Sequence, residues 1–402
     1  MASYFGWLDT SESDRRKALD VIDLFKQRGT VDELGIGSVR DTIADILSPG
    51  TSTIQTRARY FFFIPWIYFD IENSRTDRSK VAARARKAEI DLIQPLLNSS
   101  DSEGTIGVQA GASLRRIPSM IYWNGLGRLG FRLFSGSLDQ YHRALRDGRI
   151  SDRIFDAGEA EEGAGLTGNW NPHIPGKPTD FPGEASFSLT YSEAWFFREQ
   201  LRIHAADTLF QQLVELGEDI PDIDYPWEHP QLFEFPAELQ SWIRQAQYYA
   251  EIMHGAQLLY NLMLARELPN KDRVDEYEVR INEWKELASN HMPAYRSWDR
   301  PAFWRDLRRH NPHLFASVEQ FSEEWIGHII SAESLNDISK DQKCQDMIRL
   351  RENRLKGNRA RLRSRAHLEQ WGGDSGSERL NYRWAITRTH AMDIIRGLRR
   401  HA

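Results

Sequence analysis

Apolar positions recur along this chain at helical spacing. Over residues 11–27, Ala18, Val21, Ile22 and Phe25 form one stripe behind capping oxygens at Thr10 to Ser13, which predicts a first helix. Gly29, Gly35 and Gly37 break that pattern. A short helix is expected over 38–47, ended by Pro49-Gly50. Thr51 or Ser52 then caps a longer helix that carries the aromatic run of 60–69, kinked near Pro65. Another helix covers 80–97, and 114–145 reads as mostly helical with interruptions at Pro118, Gly125, Gly127 and Gly130. The capping box Thr190-Tyr191-Ser192-Glu193 opens a helix towards residue 216. The most regular stripe follows Pro236, where Leu239, Trp242, Ile243, Ala246, Tyr249, Ala250, Met253, Tyr260 and Met263 share a face through Arg266. Helices near 274–288, 302–309 and 317–330 come next. Alternating patterns are scarce, so the fold class is mainly α, with short strands expected at most near 105–110 and 186–190.

Glycine and proline punctuate this pattern most densely over 158–183, a stretch long enough to be a functional loop or a linker. The breaks divide the chain into an N-terminal helical domain (1–98), a middle region (99–235) containing that loop, a helical domain (236–335) and a C-terminal module (336–402). There is no internal repeat and no low-complexity segment.

Charge changes the picture more than composition does. Residues 341–402 hold fifteen Lys/Arg against seven Asp/Glu, and eight of those cations fall within 349–365. The whole chain carries −6, so the residues before this stretch are strongly acidic. Nine carboxylates lie between Asp207 and Glu238, with no Lys or Arg among them. A basic module on an acidic body points to a polyanionic partner, most often nucleic acid. The other reading is a solvated helix, or one docked on the acidic 207–238 stretch. Thirteen Trp spread along the chain fit large helix-packing cores. One cysteine, Cys344, excludes an internal disulfide. No signal peptide is read at the start, and the apolar run of 60–69 is too short to span a bilayer. A cytoplasmic protein with no membrane partner is expected.

Three segments carry candidate binding chemistry. On a helical wheel of the basic stretch, Ile348, Leu355 and Leu362 form a seam flanked by Arg351, Arg354, Arg361 and Arg365 on one shoulder and Arg349, Lys356, Arg359 and Arg363 on the other. Arg351, Arg354, Lys356, Arg359, Arg361, Arg363 and Arg365 are the expected phosphate contacts. Residues 38–64 have the layout of a helix-turn-helix in which Gln55, Arg57 and Arg59 would read DNA; against this, the aromatic run just after Arg59 favours a buried helix pair. Gly104, Gly107 and Gly111, followed by Arg115 and Arg116, form a third candidate, a phosphate cradle, but the Walker ending is absent and a plain turn fits better.

No catalytic constellation is recognisable. Gly373-Asp374-Ser375-Gly376 copies a serine-nucleophile tetrapeptide without the scaffold that chemistry needs. His310 and His313 lack a third ligand and Cys344 stands alone, so neither a metal nor a cofactor is expected.

Several blocks resemble a family of uncharacterised bacterial proteins of about this length. They are Phe5-Gly6-Trp7-Leu8-Asp9, then Asp32 through Gly37, then Pro49 through Tyr60 and on to Pro65-Trp66. Further echoes are Arg116 through Ser119, Tyr122-Trp123, Leu380 through Trp384, and Asp393-Ile394. The resemblance covers the whole chain and assigns no catalytic residue. Genes of this kind tend to lie beside helicases, nucleases and antiphage-defence genes, which implies work on DNA or with a DNA-processing partner. The expectation is a DNA-binding accessory or targeting subunit of a bacterial, defence-related system. The alternatives are a protein–protein scaffold and an enzyme of unrecognised type. A deep pocket collecting carboxylates or histidines from distant segments would favour the enzyme.

Overall fold

The computed structural model describes residues 32–74, 78–148 and 168–401. The helix expected over 11–27, the block at 5–9 and the 158–167 part of the Gly/Pro-rich loop lie outside the described residues. The rest is mainly α. In chain order the helices are α1 (Gly37–Leu47), α2 (Tyr60–Asn73), α3 (Val81–Asp91), α4 (Ile93–Leu97), α5 (Pro118–Arg128), α6 (Leu138–Arg146), α7 (Tyr191–His204), α8 (Leu209–Leu216), α9 (Ala237–Arg266), α10 (Lys271–Arg296), α11 (Arg300–His310), α12 (Ala316–Ser331), α13 (Gln342–Lys356), α14 (Arg365–Leu368) and α15 (Trp384–Leu398). No strand forms among the described residues. Residues 105–110 are turns and 186–190 are irregular, which corrects the strands expected there. An isolated β-bridge joins Arg132 and Trp170.

The chain forms two compact units, each built from separated stretches. Unit 1 runs up to Thr42 and resumes at Arg244–Leu380; unit 2 takes Ile43–Ile243 and the chain from Asn381 onward.

In unit 2, the aromatic run of α2 becomes a buried rod. Tyr60 through Tyr68 are all buried, and Phe61 meets the rings of Tyr122, Phe131, Phe197 and His390. Helix α5 packs tightly enough for Gly125 to be required: a Cβ there would lie 2.3 Å from the carbonyl oxygen of Gly50. α15 packs on α7 and α8. The expected capping box holds at α7, where the Thr190 hydroxyl accepts from the Glu193 amide and Glu193 accepts from the Thr190 amide. That helix stops at His204, and Thr208 caps α8 separately.

In unit 1, the apolar stripe of α9 meets α10, α12 and the segment after α14. Trp284 donates to the Glu251 carbonyl, Trp325 to the Ile252 carbonyl, and Asn261 exchanges hydrogen bonds with the backbone of Ser375. Helix α13 packs on α12 and ends at Gly357, whose φ of +55° and ψ of −122° are open only to glycine.

Candidate functional site

The two candidate DNA-reading segments fold differently from their sequence pattern. Residues 51–59 do not begin a helix. The Thr51 hydroxyl donates to the Ser48 carbonyl, and the Gln55 side chain bridges the Gly50 carbonyl and the Ser52 amide. These bonds close an irregular loop, and α2 starts only at Tyr60. No groove-entering second helix forms there, and Gln55, Arg57 and Arg59 are buried.

Arg57 is the hub of this loop. Nη1 and Nη2 donate to the two oxygens of Asp101 at 2.7 and 2.6 Å. Nε and Nη2 reach Asp393 at 3.0 and 2.8 Å, and Nη1 also donates to the Glu103 carbonyl at 3.1 Å. All five N–H donors are therefore used inside the chain. The guanidinium lies 4.7 Å above the Phe187 ring. Burial pulls its pKa down, but the bonds to Asp101 and Asp393 outweigh that and raise it. The hydrogen bond from Arg57 holds Asp101 below the usual carboxylate range, whereas burial raises Asp393 despite the same partner. Tyr122 completes the hub, its hydroxyl accepting from the amides of Thr56 and Arg57. Arg59 pairs with buried Glu193 at 2.8 Å and donates to the Ser186 carbonyl.

Beside Arg57 lies a cavity of about 560 Å³. Its walls bring together Asp101, Asp222, Arg388, Asp393 and Arg396 from separate segments, with Gly104 at the edge. Arg388 pairs with exposed Asp222, and Arg399 with Asp219 at 2.7 Å, so the end of the chain docks on the acidic stretch of its own unit. Arg396 is exposed and hydrogen-bonds to nothing among the described residues. The glycine-spaced loop folds as turns. The amides of Thr105, Ile106, Ala110 and Gly111 go to Ser102, the Tyr60 hydroxyl and Gly107.

The basic stretch in unit 1 is not one continuous helix. Gly357 breaks it, Leu355 is exposed instead of forming a seam, and the segment continues as a 3₁₀ turn (Gly357–Arg359) and the short α14. Its cations divide into two sets. Arg351 is buried and donates to the carbonyls of Leu34, Gly35 and Ser317. Lys356 pairs with Glu33 and Glu352, and Arg361 with Glu33 at 2.5 Å. Glu352, fully buried, accepts from the Tyr260 hydroxyl and from the amides of Arg361 and Leu362. These three cations are internal struts that fold the turn.

Arg354, Arg359 and Arg363 form the other set. They are exposed and have no carboxylate partner among the described residues; Arg363 touches only the neutral Asn353 side chain. Arg365 is exposed and paired with Glu369.

The structure also assembles a group that residue spacing did not single out. His328, Asp341 and Cys344 lie together at the junction of α12 and α13. Ser375 of the protease-like tetrapeptide is buried and accepts from Arg361, which leaves it in a structural turn.

Fold and site together define a mainly helical protein with an exposed arginine turn in one unit and a charged cavity in the other. The chain belongs to DUF6361, a family of unknown function whose profile matches residues 2–395. No curated protein and no solved structure matches it. No helix among the described residues is long and apolar enough to cross a membrane.

Proposed function

We propose that the protein binds nucleic acid through the turn after α13, as an accessory or targeting subunit of a bacterial DNA-processing, defence-related system with a helicase or nuclease partner. One observation carries the reading: Arg354, Arg359 and Arg363 fall within ten residues of chain, exposed and without carboxylate partners among the described residues, on a turn pinned from inside by Glu352. Arginines held this way keep their charge for phosphates and release counterions on binding. The test is the triple variant Arg354→Glu, Arg359→Glu and Arg363→Glu. All three side chains are exposed, so the fold stays intact. DNA affinity should drop, and the slope of log K against log salt should flatten by roughly two to three units. Unchanged affinity and slope would remove this surface from the account.

The cavity in unit 2 favours a second reading, a small-molecule or catalytic site. It gathers carboxylates and arginines from distant segments, the arrangement that distinguishes a ligand pocket from a plain groove. Arg57 already occupies Asp101 and Asp393, and Arg388 pairs with Asp222, so the cation left for a ligand is Arg396. Under this reading, Arg396→Ala abolishes a ligand-induced rise in melting temperature and leaves DNA binding unchanged.

A further inference from the structure

We propose that His328, Asp341 and Cys344 form a site for a single divalent transition-metal ion of the zinc class. The inference is independent of the nucleic-acid reading. His328 comes from the last turn of α12, Asp341 is the N-cap of α13, and Cys344 lies in the first turn of α13. One ligand atom from each lies within 4.8 Å of the others. Zinc bonds of about 2.0–2.3 Å place tetrahedral ligands about 3.5 Å apart, so small side-chain adjustments close the set. The donors are one imidazole nitrogen, one carboxylate oxygen and one sulfur. That mixture suits a borderline-soft ion and excludes magnesium and calcium, which take oxygen ligands.

Capping explains only part of the arrangement. One oxygen of Asp341 accepts from the amides of Lys343 and Cys344 at 2.8 and 3.4 Å, which is the N-cap. The other oxygen faces His328 Nε2 at 2.7 Å, and the sulfur of Cys344 sits beside the same carboxylate. When an ion binds, the thiol proton goes to solvent, the thiolate and the Nε2 lone pair bind the ion, and Asp341 neutralises the remaining charge. His328 and Asp341 are 19 % and 31 % exposed at their side chains, while Cys344 is closed off. The fourth ligand, a water, therefore enters on the His328–Asp341 side. Such an ion would tie α12 to α13, the helix that leads into the arginine turn.

The test uses the purified full-length protein, stripped with a chelator and titrated with Zn²⁺ and Co²⁺. The expected result is one equivalent of zinc per chain and a thiolate-to-cobalt charge-transfer band in the near ultraviolet. The band should vanish in Cys344→Ser, and stoichiometric uptake should vanish in His328→Ala. Cys344→Ser is nearly isosteric, and cooperative melting verifies that it folds. Folded wild-type protein that takes up no zinc at micromolar metal overturns the proposal, as does uptake by both variants equal to that of the wild type.

Discussion

A guanidinium whose every donor is met by its own chain acts as a strut, and Arg57 is one. Its two carboxylates are not equivalent: Asp393 is buried, with its side chain 4 % exposed, and Asp101 is 37 % exposed. Asp393→Asn should destabilise unit 2 by about 3 kcal/mol, because a buried cation loses its better-shielded partner. Asp101→Asn should cost under about 1 kcal/mol, as exposed pairs do. Urea unfolding of the two variants measures the difference, and equal losses would contradict it. Three residues before Asp393, His390 lies fully buried among Phe61, Tyr122 and Phe210, and neither ring nitrogen has a partner among the described residues. Burial, with Arg57 nearby, holds its pKa down at about 3. The neutral form is therefore the folded form. The stability it confers is complete above the unfolded value of about 6.5 and is lost as pH falls from there towards 3, at up to about 1.4 kcal/mol per pH unit. Buried Glu89, raised to about 7, acts in the opposite sense, gaining stability as pH falls from 7 towards its ordinary carboxylate range. His390→Phe removes the acid-sensitive group and leaves Glu89. The variant should gain stability relative to wild type at pH 5 compared with pH 7.5; a constant difference across that range would refute the assignment.

At the scale of elements, what the sequence made legible was the local physics. The stripe of α9, the box at Thr190 and Glu193, and the stop at Pro49-Gly50 each depend on neighbours within a turn or two, and each appears in the structure, whereas the interruptions expected at Gly125 and Gly127 do not, both lying inside α5. The partners of the charged residues are not local. Arg57 meets Asp393 across 336 positions and Lys356 meets Glu33 across 323, so no periodicity marks them. A usable signal was the aromatic run beginning at Tyr60: cations abutting a wholly buried rod must be buried with it and so need carboxylates. In the basic stretch the helical wheel failed at Gly357, where a glycine conformation ends α13 and turns the chain back over Glu352. Glu352→Gln should unpin this turn, because an amide cannot accept from the Tyr260 hydroxyl and two backbone amides together. The expected outcome is a loss of about 2–4 kcal/mol. Hydrogen exchange should show protection falling first at the amides of Arg361 and Leu362. Unchanged protection there would mean that the carboxylate does not hold the turn.

For the whole molecule, net charge was a coarse guide. It placed a basic stretch on an acidic chain but could not distinguish cations that fold the protein from cations that face solvent. The structure makes that division: Arg351, Lys356 and Arg361 are tied into the fold, and Arg354, Arg359 and Arg363 are exposed without carboxylate partners among the described residues. Arg388 and Arg399 meet the acidic stretch of unit 2, whereas Lys356 and Arg361 of the basic stretch, the segment for which docking there was the alternative, pair with Glu33 and Glu352. Each of the two units is assembled from stretches separated by more than a hundred residues, a grouping that no local pattern marks. The central claim is nucleic-acid binding, and the most direct test is fluorescence anisotropy of the full-length protein with short double- and single-stranded DNA across a salt series. The account predicts binding whose affinity falls steeply with salt, with a slope of about two to three contributed by the exposed arginines. No binding at low salt, or affinity indifferent to salt, would contradict it.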